Sequence, residues 1–369
     1  MVYRFIIFIS IIQSILFLGH WFFYRTLVRF FEPFSPSILL TLKIGLGLLS
    51  VSLVLTSFIT FRYDNFLARF FYTTASSWLG ILYLFILAAT LTWISYGLSK
   101  GLRFPLNHKL LMEILMGMAL LASVYGFINS GMTRITRASF SLPDLPGLWK
   151  GKTVVWVSDT HLGHVRHYGF ARKTAKLVEG LSPDILFIGG DLYDGTAVDL
   201  DHVIEPFSGI SAPYGTYFIT GNHEEFGDNT PYLQAVRRAG IRVLLNEKVD
   251  IDGLQIIGVD YLDSRNKERF KTILNKAGID RRKPSILLEH APLHLEVAEE
   301  EGISLLLAGH THHGQVFLFR WMTSLIYDGY DYGLKWFKSL LVYTSSGAGT
   351  WGPPMRLDTK PEILVIKFN

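Results

Sequence analysis

Eight polar residues of this 369-residue chain sit just past apolar runs. Asp159 and His161 follow "TVVWVS", Asp191 follows "ILFIGG", and Asn222 and His223 follow "YFITG". His290 ends "SILLEH", and His310 and His312 lie in "AGHTHHGQ" after "ISLLL". All eight are Asp, Asn or His, the side chains suited to divalent Mn, Fe, Zn, Co or Mg. A single histidine of this kind is more often structural; the repetition is what points to metal. Asp159-x-His161 and His310-x-His312 predict side chains on one side of an extended chain, because the strand period is two. By the same alternation His313 points away. A carboxylate bridges two cations readily, and an Asn amide ligates through its oxygen. Two cations roughly 3.5–4 Å apart clamp a phosphoryl group and lower the pKa of a bridging water. Cysteine is absent, which excludes thiolate ligands and disulfides.

The elements needed to bring these residues together are legible. Strands are expected at Thr153–Asp159 and Asp184–Asp191, and in "YGTYFITGNHE". "IRVLLNEKVDIDGLQIIGVD" reads as strands with a turn at Asp252-Gly253, and "PSILLEHAP", "ISLLLAGH", "LLVYTSSGAGT" and "PEILVIKFN" each read as one strand more. Helices are expected around "YGFARKTAKLVEGL", "TPYLQAVRRAG" and "LHLEVAEEEG". Alternation early and paired strands late predict a layered α/β domain with a mixed sheet. Open α/β sheets gather ligands at the carboxyl ends of their strands, where the eight residues fall.

The first third obeys different rules. The chain is 49% hydrophobic and only 18% charged, with a mean hydropathy of +0.29, too apolar for an ordinary soluble domain. Residues 1–133 hold nine Lys or Arg against three acids, and the remainder holds 26 bases against 28 acids. Four stretches, about 5–24, 38–61, 78–98 and 110–128, reach the roughly 20 apolar residues a bilayer span requires. We therefore expect a transmembrane domain at 1–133, a linker at 134–151 and a catalytic domain at 152–369. The spans read as an anchor, since His20 is the sole ionisable candidate away from the two end-zone charges, and it reads as an interfacial residue beside Trp21. The expected location is a multi-pass cell membrane protein. Flanking Lys and Arg divide evenly between the two sides, and Lys150 and Lys152 tip the catalytic domain toward the cytoplasm. The faintly acidic second half argues against a nucleic-acid partner.

The ordered set "SDTH", "GGDLYD", "GNHE", "EH" and "GHTH" resembles the calcineurin-like metallophosphoesterase superfamily, over about residues 152–369. The tail "TSSGAGTWGPPMRLDTKPEILVIKF" further resembles a bacterial, membrane-associated branch of it. The resemblance implies a four-layer α/β/β/α sandwich and a binuclear site. It implies Asp159, His161 and His312 on one metal, Asn222, His290 and His310 on the second, and Asp191 bridging them. It implies that His223 faces the scissile phosphate, stabilising charge or protonating the leaving oxygen, with the Asp194 carboxylate orienting it. Mn is the expected metal, with Fe, Zn, Co and Mg as alternatives. Hydrolysis then proceeds by in-line attack of the metal-bridging hydroxide on a phosphomonoester, phosphodiester or pyrophosphate. Phosphoprotein phosphatases carry a phosphate-gripping arginine where this chain has Gly195, which argues against a phosphoprotein substrate.

His164, Arg166 and His313 are the candidate substrate contacts. In much of the branch position 313 is glycine, so His313 is a departure. The anchor brings the enzyme to the lipid bilayer, and the aromatic segment 315–341, with Trp321, Tyr327, Tyr330, Tyr332 and Trp336, reads as a greasy lip beside the metals. A lipid-linked phosphoester is accordingly the expected substrate. A soluble or cyclic nucleotide is the rival, and a non-catalytic metal-binding membrane scaffold is the alternative outside enzymology.

Overall fold

Each of the four apolar stretches forms one helix: α1 (Val2–Phe31), α2 (Pro36–Thr60), α3 (Phe66–Leu102) and α4 (His108–Ser130). This is a computed structural model and describes residues 2–369. All four helices are long and apolar enough to cross a membrane. They outrun the expected apolar cores because caps, not hydropathy, set their ends. Ser35 caps α2, with Pro36 preset for the first turn, and Asn65 Oδ1 accepts from Ala68 N at 3.0 Å to start α3. Their large side chains face outward, among them Leu48, Leu55, Leu91 and Leu121. What α3 buries is mostly small, including Ala68, Ala75, Ser76, Gly80, Ala88 and Ala89, which lets neighbouring backbones approach closely. His20 is buried, and its Nε2 accepts from Trp78 Nε1 at 2.8 Å, a polar tie between α1 and α3.

By contact density the chain divides into two units, residues up to Ile128 with Gly352–Met355, and Asn129–Trp351 with Arg356–Asn369. The second unit is built on two six-stranded sheets. One contains β1 (Arg134–Phe140), β2 (Thr153–Val157), β3 (Ile185–Ile188), β4 (Thr216–Phe218) and β5 (Arg242–Val243). The other contains β6 (Glu247–Ile251), β7 (Leu254–Gly258), β8 (Ser285–Leu288), β9 (Leu305–Ala308), β10 (Gly333–Phe337) and β11 (Leu340–Thr344). The last strand, β12 (Glu362–Phe368), returns to the first sheet, whose order is β1-β12-β2-β3-β4-β5; the second runs β10-β11-β9-β8-β7-β6. Strands β2 to β5 are parallel, as are β7, β8, β9 and β11.

Period-two alternation assigns each strand residue to one of two cores. Val154, Trp156, Ile185 and Phe187 point toward Ile256, Ile286, Leu288, Leu305 and Leu307 of the other sheet. Their neighbours Val155, Val157, Leu186 and Ile188 pack on α5 (Tyr168–Glu179), α6 (Leu200–Ser208) and α7 (Thr230–Arg238). A short helix, α8 (Tyr261–Ser264), follows β7. On the outer face of the second sheet Ile257, Leu287, Leu306 and Val342 cover α9 (Lys267–Lys276) and α10 (Leu295–Glu300). The layers are therefore α/β/β/α, and strands buried on both faces explain the unbroken apolar runs "ILFI", "SILL" and "LLLA". Helices α6 and α9 were not among the expected elements.

One expectation changes. Residues 134–151 are not a bare linker: Arg134–Phe140 forms an edge strand paired in parallel with Glu362–Phe368, so the domain begins about 18 residues earlier than expected. Within the aromatic segment Phe319–Ile326 forms a helix, α11, ahead of β10. Phe187, fully buried between the sheets, gives a direct test of the inner core. Phe187→Ala is expected to cost about 3–5 kcal/mol, read as a lowered denaturation midpoint of the purified protein. A cost below about 1 kcal/mol would contradict the two-sheet packing.

Candidate metal centre

The expected ligands are carried by the turns that follow β2, β3, β4, β8 and β9. Within each sheet these strands run parallel, so their carboxyl ends share one edge. The residues converge for a reason other than strand alternation. Asp159, His161, Asp191, His310 and His312 all have φ between 48° and 66°, in the left-handed region. Such conformations cost about 1–3 kcal/mol each and persist only where the surroundings over-determine them. Gly190 and Gly221 make the approach possible: a Cβ at Gly190 would lie 2.7 Å from His290 Nδ1, and one at Gly221 2.8 Å from Asp191 Cγ.

Two donor sets result. In the first, ligand atoms of Asp159, His161 and His312 lie within 4.8 Å of one another, with His161 Nε2 and His312 Nε2 3.0 Å apart. In the second, Asp191, His290 and His310 lie within the same limit, with His310 Nδ1 3.2 Å from His290 Nε2. Asn222 Oδ1 is 3.3 Å from His290 Nε2, on the side of the second set. Asp191 Oδ2 joins the two sets, at 3.8 Å from His161 Nε2 and 3.3 Å from His290 Nε2. Its other oxygen, Oδ1, accepts from His223 N at 2.8 Å.

These residues fit cations on three observations. Asp159 is fully buried, and while its Oδ1 accepts from His310 N at 2.9 Å, its Oδ2 has no hydrogen-bond partner. An orphaned buried carboxylate oxygen beside two imidazoles is a costly arrangement without a cation. His290 Nδ1 donates to Gly189 O at 2.8 Å, which in the neutral ring leaves Nε2 with its lone pair toward the set. Burial, reinforced by His290, holds His310 down at about 3, and burial with the Arg356 guanidinium holds His312 well below the usual range, so both are neutral. Burial would raise the Asp191 carboxyl, but His290 and His161 outweigh it and pull Asp191 well down. The reciprocal effect of Asp191 overcomes burial at His290 and raises it to about 10.

His223 is next to the first set, its ring centroid 4.6 Å from that of His161. Burial, then the His161 charge, lowers its pKa. Asp194 holds it through the main chain: His223 Nδ1 donates to Asp194 O at 3.0 Å, and the carboxylate oxygen Oδ1 is farther, at 3.6 Å. That same Oδ1 is 3.4 Å from His161 Nδ1, so the carboxylate lies between a ligand histidine and His223.

The candidate substrate contacts diverge. His164 is buried with Nδ1 3.0 Å from Thr196 Oγ1, and Arg166 gives its guanidinium to Ser130 O and Thr350 Oγ1 at 3.0 and 3.2 Å. Both side chains hydrogen-bond to the domain's own framework. His313 is half-buried, stacked 4.2 Å from the Tyr332 ring, with Nε2 3.8 Å from Asp331 Oδ2.

Three further groups support the centre. The fully buried Glu224 takes Asp191 N and Gly221 N on Oε2, at 3.0 and 2.8 Å, and Tyr193 N on Oε1 at 2.9 Å. It thereby clamps the turns after β3 and β4, and its place in "GNHE" was the available signal. Arg356, fully buried, donates to Ser346 O at 2.6 Å, Gly349 O at 2.7 Å and His312 O at 3.0 Å. Phe226 and Trp351 flank His223 at 4.5 and 6.2 Å between ring centroids, and both are exposed. Phe226 also covers Gly195, where a Cβ would come within 2.9 Å of its ring. No local pattern marked Arg356, Phe226 or Trp351, because their partners are remote in sequence or lie on other turns.

A family model described as calcineurin-like phosphoesterase matches residues 152–314. An uncharacterized metallophosphoesterase of Helicobacter pylori is 30% identical over 81% of this chain and 82% of its own length. One from Campylobacter jejuni is 28% identical over 85% of each chain. A transmembrane protein with metallophosphoesterase domain from Danio rerio is 29% identical over 66% of this chain and 59% of its own. The chain belongs to the calcineurin-like metallophosphoesterase family and is a metal-dependent phosphoester hydrolase.

Proposed function

We propose that the chain is a membrane-anchored binuclear phosphoesterase acting on phosphomonoester, phosphodiester or pyrophosphate bonds of a lipid-linked substrate. The observation that carries the binuclear reading is the single oxygen Asp191 Oδ2 facing both His161 Nε2 and His290 Nε2. Asp159, His161 and His312 would hold one divalent cation, Asn222, His290 and His310 the other, and Asp191 would serve both. Two such cations supply Lewis acidity toward the phosphoryl oxygens and a water of lowered pKa. The protein's own groups do the rest. His223, fixed through Nδ1 by the Asp194 carbonyl, keeps Nε2 for the substrate, where it stabilises charge or gives a proton to the leaving oxygen. The Asp194 carboxylate steadies the imidazole of His161 and the charge on His223. Glu224 and Arg356 keep the strained turns in place.

The anchor supports the lipid-linked substrate: four bilayer-length helices belong to the same chain as the site. The exposed rings of Phe226 and Trp351 beside His223 would also stack on a nucleobase, which is the specific observation for a soluble nucleotide instead. A competition assay with the full-length protein in vesicles, offering lipid phosphoesters against nucleotides, decides between them. Preference for nucleotides overturns the lipid reading and leaves the reaction class intact.

With Mn supplied, His223→Ala is expected to lower kcat by about 10²–10⁴-fold while the protein still binds two metals. Asp191→Asn is expected to lose both activity and the second metal, measured by metal analysis after dialysis. Full turnover by either purified variant refutes the assignment. Asp194→Asn should act more gently, lowering metal affinity or activity about 10–100-fold. Because His290 carries a proton below about 10 when no cation is bound, metal must displace that proton. Mn affinity should therefore rise from pH 6 to 8, with proton release seen by calorimetry in buffers of different ionisation enthalpy. An affinity independent of pH contradicts this placement of His290.

A further inference from the structure

Helix α11 (Phe319–Ile326) is turned the wrong way for a soluble domain. A surface helix ordinarily buries its apolar stripe and exposes its polar one. Here no residue of the helix is buried, and the apolar side faces out: Trp321, Met322, Leu325 and Ile326 are 63%, 52%, 80% and 66% exposed. At 3.6 residues per turn these four and Phe319 share one continuous face. The polar residues Arg320, Thr323 and Ser324 share the other, and they are the less exposed ones. Arg320 Nη1 donates to Asp358 Oδ2 at 2.9 Å, tying the polar side to the domain. Phe317 extends the outward face, its ring 6.2 Å from that of Trp321.

The helix is also joined to the metal centre at both ends. It follows the turn His312–Gly314, and its last turn is capped by Tyr327 N on Thr323 O at 3.0 Å. The Tyr327 ring lies 6.2 Å from that of His310. A lipid surface is the occupant that the rest of the chain supplies. Four helices of bilayer length precede the domain, and only three residues separate the end of α4 at Ser130 from the start of β1 at Arg134. Aromatic and aliphatic side chains on one face, with a basic residue on the other, is the composition of helices that lie in the plane of a membrane interface.

We propose that α11 is an interfacial helix, lying in the bilayer surface with Trp321, Met322, Leu325 and Ile326 in the acyl boundary and the metal centre directly behind it. The inference rests on the reading that α1 to α4 span a bilayer. It explains how a site tethered to a membrane would meet a phosphoester at headgroup depth.

The chain has no cysteine, so one introduced cysteine carries a unique spin label. Full-length L325C, L91C in α3 and K276C on exposed α9 are labelled in phospholipid nanodiscs. Collision with oxygen, which partitions into lipid, is compared with collision with a water-soluble nickel chelate. The expected result is that L325C and L91C relax severalfold more with oxygen than with nickel, and K276C the reverse. Nickel access at L325C with L91C protected overturns the inference and leaves the spanning reading intact. Nickel access at both overturns the two together. Protection of L325C from both reagents reports a protein contact in place of lipid, and likewise overturns it.

Discussion

Asp191 is the point on which the centre turns. Its carboxylate is buried and ionised, with one oxygen shared between two sets of imidazoles and the other holding the main chain of His223. A buried carboxylate is tolerated only when its charge and lone pairs are answered. Here the answer comes from residues on β2, β4 and β8 turns at once, so a single side chain makes the edges of two sheets one site. The left-handed backbone at Asp191 and at four neighbouring ligands is a consequence of the same demand. The strands end, the chain must turn sharply, and the carboxylate and imidazoles have to arrive within a few ångströms of each other.

Strain of that kind needs a stiff support, and the support is polar as well as apolar. Glu224 gathers three main-chain donors from two turns, and Arg356 gathers carbonyls from the turn carrying His312 and from the segment 346–349. Both are fully buried, and both act on the backbone. Around them the two sheets and their helices supply close-packed cores that resist relaxation. The site's precision thus comes from groups that do not themselves belong to the donor sets.

The two units obey opposite solvent rules. In the helical unit many large apolar side chains face outward and α3 buries mostly small ones, although Phe23, Leu46 and Leu82 form a buried cluster. In the α/β unit most large apolar residues are in the cores, and the outward face of α11 is exposed, as are the single rings of Phe226, Trp336 and Trp351. The same physical chemistry that reads the first unit as lipid-facing therefore reads one patch of the second the same way.

The sequence by itself determined most of the element types around the site and the candidate donor chemistry. Unbroken apolar runs such as "ILFI" and "LLLA", with Asp, Asn and His placed just after them, pointed to buried strands that end in candidate metal ligands. It also determined the four bilayer-length helices, since length and hydropathy are local properties. Tertiary structure decided what depends on remote partners. The edge strand at Arg134–Phe140 exists because Glu362–Phe368 pairs with it, and nothing local in "RITRASF" requires that. The hydrogen bonds of His164 and Arg166 depend on Thr196, Ser130 and Thr350, which lie far along the chain. Alternation along an extended chain placed His161 beside Asp159 and His312 beside His310 for the wrong reason, because these residues lie beyond the strands, in turns whose conformation is set by what they must reach. A spacing rule follows from covalent geometry, but the approach of four turns to a carboxylate on a fifth follows only from packing two sheets together.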